Sequence, residues 1–356
     1  MKHPHCSFFF IKILAVIFCV ALTNSFLVAE TTFSDSPESL NKKNKLPQIS
    51  VLKNRFVDEE GNPVLFRGLA LADPYHLNKQ EKWDNSYFVA AKEWNANVLR
   101  IPVHPQWMRE VGIEQYLEWI DQSVEWATEL DMYLIIDWHT IGNPDNWVPH
   151  RDIYHTSREE TFYFWYRIAN RYKNNSTVAF YELYNEPTNY AGQMGRLSWT
   201  NYKNLLEEII YMIFQIDPTA IPLVAGFDWG YDISHIKYEP IDFEGIAYVT
   251  HPYPQKREKP WLDKWYEDWG FAAENYPLFA TEFGFMGEDE DGAHVPVISD
   301  ETYGEEILEA FKKWNVSWTV WVFDAKWSPR LFEDWDYTPS RQGRFFKKKL
   351  MELNSQ

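Results

Sequence analysis

The strongest constraint in this chain is an eightfold alternation. Short runs rich in β-branched and aromatic residues recur at Val64–Leu71, Asn97–Pro102, Met132–Trp138, Val178–Tyr184, Ile221–Gly226, Gly245–Thr250, Pro277–Thr281 and Ser317–Val322. Before each next run lies a longer stretch of helical period. In Glu114–Leu130, for example, Tyr116, Leu117, Ile120, Val124 and Ala127 fall on one face. Trp199–Ile216 is a second such stretch and meets a stop signal at Asp217-Pro218. Eight strands with intervening helices over about 300 residues predict an α/β fold closed into a (β/α)8 TIM barrel. A doubly wound open sheet is the alternative, but no Gly-rich phosphate loop follows any strand. Ile49–Val57, turning through Glu59-Glu60-Gly61-Asn62, reads as an N-terminal β-hairpin at the barrel bottom.

The chain ahead of the barrel divides in two. Residues 1–29 carry Lys2 and Lys12, no acid, and an apolar run from Ile13 to Leu22. That run is too short to span a bilayer and suits a secretion signal peptide, cleaved near Ser25 or Ala29. An uncleaved anchor over Phe8–Val28 is the competing reading, and a lipid anchor at Cys19 lacks a small residue before it. Export to an extracellular or periplasmic space is expected. Residues 30–47 are polar and aperiodic, a linker. Residues 48–353 then form one domain, without internal repeats or a second linker, expected to be a monomer. Both cysteines, Cys6 and Cys19, precede it, so disulfides, thiol catalysis and Cys-ligated zinc drop out together.

Charge narrows the partners. Lys and Arg number 34 against 52 Asp and Glu, a net charge of -18. Such a chain is repelled by phosphate backbones and anionic lipid, so neither a nucleic acid nor, after signal cleavage, a membrane is expected as partner. The 18 Trp, 21 Tyr and 24 Phe exceed what a core needs and suggest flat apolar platforms.

In a barrel, polar residues at the C-terminal strand ends converge on one face. Here they are Arg100 after the second strand, His139 after the third, Asn185-Glu186 after the fourth, His251 and Tyr253 after the sixth, Glu282 after the seventh, and Trp321 on the eighth. Alone, each has a plainer explanation: a solvated loop Glu, a structural ion pair for Arg100, core packing for Trp321. Together at one face, they make a candidate site.

These segments resemble glycoside hydrolase family 5, the cellulase-like retaining barrels. The resemblance spans nearly all of Gln48 to Leu350. It rests on Asn97-Val-Leu-Arg-Ile-Pro102, Ile136-Asp-Trp-His139, Tyr184-Asn-Glu-Pro187, His251-Pro-Tyr253, Ala280-Thr-Glu-Phe-Gly284 and Trp318-Thr-Val-Trp321. It implies Glu186 as acid/base and Glu282 as nucleophile, with no metal and no cofactor. It also implies substrate binding by Arg100, His139, Asn185, His251, Tyr253 and Trp321. The expected activity is hydrolysis of internal β-1,4-glucosidic bonds in a neutral polysaccharide, with a β-mannan or another β-glycan as the alternative. Loops at Ala72–His76 and Trp327–Tyr337 would set that choice.

The chemistry gives each group a task. Glu282 must be ionised at rest, which Arg100 beside it would favour by lowering its pKa, while Tyr253 would orient its carboxylate. Glu186 must carry the proton at first and needs a drier site in the field of Glu282. Asn185 would reach the sugar 2-OH, and His139 and His251 would bind hydroxyls. Trp138, Trp147, Trp229, Trp261, Trp321 and Trp327 are candidate stacking platforms, Trp321 first. Two rivals differ in class. A metal-dependent barrel hydrolase would use His139, His251 and Glu186 but wants a further ligand cluster after the first strand. A non-catalytic polysaccharide-binding barrel would not need both glutamates.

Overall fold

The computed structural model describes residues 46–355. The expected signal, all of the linker before Leu46 and both cysteines lie outside the described residues. Eight parallel strands pair in sequence order and close: β1 (Arg67–Leu71), β2 (Val98–Val103), β3 (Tyr133–Trp138), β4 (Val178–Glu182), β5 (Ile221–Ala225), β6 (Ala247–Val249), β7 (Leu278–Ala280) and β8 (Ser317–Phe323). The predicted TIM barrel is therefore the fold observed. Every residue of these strands is buried except Arg67 and Tyr133 at two N-terminal ends, as a sheet covered on both faces demands.

The outer layer forms where the period predicted it. Ile113–Glu129 buries Tyr116, Leu117, Ile120, Val124 and Ala127. Trp199–Ile216 starts at Ser198, whose side chain accepts from the Asn201 amide, and ends before Pro218. Arg158–Tyr172, Glu301–Trp314 and Arg341–Leu353 are likewise capped by Ser157, Asp300 and Ser340.

One connection departs from expectation. Between β5 and β6 lie only two short turns, Phe227–Gly230 and Ser234–Lys237. The sequence there has Gly226, Gly230, Pro240 and scattered acids but no apolar period, so a full helix has no face to bury. Asp228 (φ 55°) and Trp229 (φ 56°) are both left-handed, a conformation costing about 1–2 kcal/mol per non-glycine residue.

The N-terminal hairpin is also more elaborate than expected. Ser50–Leu52, Arg55–Val57 and Pro63–Val64 form a three-stranded antiparallel sheet, turning first at Lys53-Asn54. The second turn is pinned by the Asp58 carboxylate, which accepts from the amides of Glu60 (3.0 Å) and Asn62 (2.8 Å). Val64 therefore belongs to this sheet, pairing with Phe56, and not to the first barrel strand.

The sheet does sit at the barrel bottom. Phe56 meets Phe180 at 5.1 Å and Phe66 at 5.7 Å, both edge to face, and packs with Val98, Ile135, Ile221 and Val249. Both described ends of the chain leave from this side. Tyr133 donates to the Pro47 carbonyl (2.9 Å), and Asn354 Nδ2 donates to the carbonyls of Arg67 (3.1 Å) and Asn95 (2.7 Å).

Phe56→Ala opens a cavity under the barrel and is expected to cost about 3–5 kcal/mol. Thermal melts should record that loss, while the folded fraction keeps its specific activity, because the opposite end of the barrel is untouched.

Candidate active site

The site is built around a charge that no solvent reaches. Arg100 is the third residue of β2, deep in the barrel and not at a strand end as the sequence suggested, and it is fully buried. Its Nε donates to Glu182 Oε2 (2.6 Å), and one terminal nitrogen donates to Glu282 Oε1 (2.8 Å). The other reaches Asn185 Oδ1 (2.6 Å), Glu182 Oε1 (3.1 Å) and Asp137 Oδ2 (3.0 Å). Burial works against the guanidinium charge, but Asp137, Glu182 and Glu282 outweigh it and hold the pKa well above its usual value.

The three carboxylates share this cation unequally. Glu182 is opposed by burial, yet Arg100 and a hydrogen bond from the His251 side bring its pKa down to about 2. Asp137 is pushed well above the usual range, burial outweighing Arg100, with Glu182 and Glu282 adding to the rise. Glu282 was expected to lie low beside Arg100. Its pKa is instead raised: burial exceeds the pull of Arg100 and His251, and the like charges of Glu186 and Glu182 add to it. That expectation weighed Arg100 and left out burial, the largest cause, together with the unrecognised neighbour Glu182.

Glu186 is placed by backbone pairing. After β4 the chain continues into a small top sheet, where Glu186-Pro187 pairs with Ile141–Asn143. The Glu186 amide donates to the Thr140 carbonyl at 3.0 Å, and its Oε1 lies 3.0 Å from His251 Nδ1. Gly230 permits this contact: at φ +70° it lies against the imidazole, where a Cβ would come within 2.9 Å of Nδ1. Tyr253 donates to Glu282 Oε2 at 3.2 Å. A carboxylate oxygen of Glu186, one of Glu282 and a nitrogen of His251 all lie within 4.8 Å of one another.

His139 Nδ1 is 2.6 Å from Asp137 Oδ2 and 3.9 Å from Glu282 Oε1. Burial, then His104, Arg100 and His251, hold its pKa well below the usual value, so the ring is neutral. The Trp321 indole lies parallel to it, 5.5 Å away at 2°. The Trp321 amide donates to the Phe283 carbonyl (2.9 Å), which ties β8 to the residue following Glu282. All eight residues singled out from the sequence thus meet in one connected cluster.

The six candidate platforms separate. Trp138 is fully buried and stacks on Phe164 at 4.2 Å, and Trp261 is buried against Trp265 at 5.4 Å; both are core. Trp147, Trp229 and Trp327 are half-buried, and Trp321 keeps 8% of its surface. Trp327 lies 5.8 Å from Trp321 and 6.1 Å from Trp107, all roughly parallel, so β8, the loop after it and the short helix Pro105–Val111 after β2 line one side with aromatic faces. Trp229 follows β5 and has the Lys256 ammonium 4.6 Å from its ring.

Sequence reasoning missed Asp137, Glu182, Thr281 and Trp107. For the two acids a signal existed: a carboxylate inside an otherwise apolar, fully buried strand has no solvated alternative and must find a cation. The close approach of Glu186, His251 and Glu282 differs from the His139, His251 and Glu186 set weighed for a metal. The Arg100 guanidinium on Glu282, and the engagement of Nδ1 of His139 by Asp137, compete with a cation at either set.

Arg100→Met strands three buried carboxylates, and breaking such a cluster costs about 3–5 kcal/mol or more. The stranded groups then bind protons more tightly in the folded than in the unfolded chain, so stability must fall as pH rises. Thermal melts of the variant should show a deficit relative to the parent that is largest at pH 8 and shrinks toward pH 4.

Residues 57–326 match the sequence profile described as Cellulase (glycosyl hydrolase family 5). Among curated relatives, Endoglucanase E-5 of Thermobifida fusca is 28% identical over 287 residues, covering 78% of this chain and 55% of its own length. Endoglucanase A of Butyrivibrio fibrisolvens is 26% identical over 78% of this chain and 61% of its own length. The chain thus spans about half to three fifths of these relatives. The structure of the β-glucanase SdGluc5_26A from Saccharophagus degradans, in complex with cellotetraose, superposes with a TM-score of 0.86. It is 45% identical and the match covers 87% of this chain and 94% of that one. The catalytic domain of Thermobifida fusca endoglucanase Cel5A shares the fold at a TM-score of 0.69 and 24% identity, over 85% and 97% of the two chains. With an eight-stranded barrel, a profile match over most of the domain and a relative of this identity, the chain belongs to glycosyl hydrolase family 5.

Proposed function

We propose that the protein is an exported β-glucanase that hydrolyses internal β-1,4-glucosidic bonds by double displacement, with Glu186 as acid/base and Glu282 as nucleophile. The observation that carries this reading is that a carboxylate oxygen of Glu186 and one of Glu282 come within 4.8 Å of each other. Inversion needs about 6.5–9.5 Å, room for a water between the carboxyl groups, whereas direct attack on the sugar needs the shorter separation. Glucan is favoured over mannan by the relatives, which are endoglucanases and a β-glucanase that holds cellotetraose. Export rests on the apolar run at Ile13–Leu22; no helix among the described residues is long and apolar enough to cross a membrane.

The surroundings supply the remaining roles. A neutral sugar brings hydroxyls and apolar faces, and the half-buried indoles offer the faces. Asn185 gives its oxygen to Arg100, which leaves the buried Nδ2 without a protein partner and free to donate to the 2-OH of the attacked sugar. Arg100 and Tyr253 fix one oxygen each of Glu282. Neutral His139 can exchange hydrogen bonds with a hydroxyl without adding charge. The raised pKa of Glu282 means that the resting enzyme ionises it only as pH climbs, so the acid limb of kcat/KM should lie above the usual carboxylate range.

Substitution separates the two glutamates. Glu282→Gln should abolish turnover of every substrate. Glu186→Gln should lose polysaccharide hydrolysis yet still be glycosylated by an aryl glycoside with a good leaving group, and azide should restore its turnover. Equal loss on the aryl substrate without azide rescue overturns the assignment. In a separate assay, dialysis against EDTA should leave hydrolysis intact; loss reversed by zinc would favour the metal-dependent alternative instead.

A further inference from the structure

Behind Glu186 runs a chain of hydrogen bonds in which two members have no role so far. His251 Nε2 lies 2.9 Å from Thr281 Oγ1, and Thr281 donates to Glu182 Oε1 at 2.8 Å. Glu182 in turn holds Arg100 through both carboxylate oxygens. Glu182, Thr281 and His251 are all completely buried, so no water competes for these bonds.

The hydrogens in this chain can be counted. An ionised carboxylate accepts only, and Glu182 is the acid that Arg100 holds down. Thr281 has one hydroxyl hydrogen, which goes to Glu182, so toward His251 it can only accept. Nε2 of His251 must therefore carry a hydrogen. The nitrogen free to change is Nδ1, the one facing Glu186 at 3.0 Å. As imidazolium it donates to the Glu186 carboxylate. As neutral imidazole it is bare and accepts from a protonated Glu186.

We propose that Glu182, acting through Thr281, is a positioning residue for acid catalysis: it fixes the His251 tautomer so that a proton can pass from Nδ1 to Glu186. In that step the Nδ1–H bond breaks and an O–H bond forms on Glu186, while the imidazolium becomes neutral imidazole with its hydrogen on Nε2. The proposal rests on Glu186 being the acid/base. From the opposite neutral tautomer, passing the Nδ1 hydrogen to Glu186 would leave an imidazolate, so that ring cannot supply the proton. The charged and titratable groups around the ring are Glu182 on β4, Glu186 after β4, Glu282 after β7 and His139 after β3; the loop after β5 contributes only the backbone of Gly230. The three acids offset the cost of burial and bring the His251 pKa up to about 9, so the ring holds its second proton at neutral pH.

Nitrogen-15 NMR of histidine-labelled wild-type protein tests the tautomer directly. Nε2 of His251 should stay protonated across the titration while Nδ1 alone loses its proton; a neutral ring with hydrogen on Nδ1 and a bare Nε2 overturns the proposal. Thr281→Val and Thr281→Ser then test its consequence. Thr281→Val should lose kcat/KM at least tenfold more on cellotetraose than on a dinitrophenyl cellobioside, and its basic limb should move about one pH unit lower. Thr281→Ser should recover most of both. Equal loss on the two substrates with an unmoved basic limb overturns the relay even if the tautomer is as expected. Failure of the acid/base reading itself would look different: Glu186→Gln would then lose the substrate discrimination while the His251 tautomer stayed fixed.

Discussion

Three carboxylates on one buried guanidinium set the terms for this molecule. Asp137, Glu182 and Glu282 come from or just after β3, β4 and β7, and Arg100 from β2. No local segment can assemble that arrangement, and each member left alone in the barrel would be an uncompensated buried charge. The charges are therefore compatible only with the closed barrel, which ties the catalytic end of the fold to the integrity of the whole. The excess of carboxylate over cation also dictates that protons remain in the cluster. Burial pushes Asp137 and Glu282 up beyond what their share of Arg100 offsets, whereas at Glu182 Arg100 and the His251 side overcome burial and bring it down.

The same crowding explains why the polar groups come in relays. Asp137 touches His139, Glu182 touches Thr281 and through it His251, and Asn185 touches Arg100 with one end only. The relays lead to His139, His251 and the Nδ2 of Asn185, so the buried charge fixes the orientation of groups several bonds away. The aromatic wall of Trp107, Trp327 and Trp321 adds the apolar half of the site from the helix after β2, from β8 and from the loop after it.

What the sequence made legible follows from what its signals measure. Hydrophobic period reports burial, so all eight strands and the helices Ile113–Glu129 and Trp199–Ile216 were readable to within a few residues. It cannot report pairing partners, so Val64 was assigned to the barrel when it pairs with Phe56. It cannot report absence either: the aperiodic stretch after β5 was read as another helix because the repeat demanded one. The strand-end residues were found because a barrel directs them to one face. Glu182 and Asp137, the last residue of β4 and the next to last of β3, escaped because the candidate residues were sought just beyond each apolar run, whereas a charge inside a buried run is more telling. Trp138 and Trp261 were counted as platforms because an indole in a strand-end segment looks the same in sequence whether it faces a cleft or the helical layer.

Both described ends of the chain, at Leu46 and Ser355, leave from the bottom of the barrel, beneath Phe56 and beside Arg67. Anything attached at Leu46 or at Ser355 starts from the face opposite the cleft. A molecule immobilised on a bead through Ser355 would point its open mouth outward, and a carbohydrate-recognising module joined there would have to reach around the full height of the barrel to share a strand of polymer with the active site. Linker length, and not interface design, is then the variable that decides whether such a fusion works on one chain or on two.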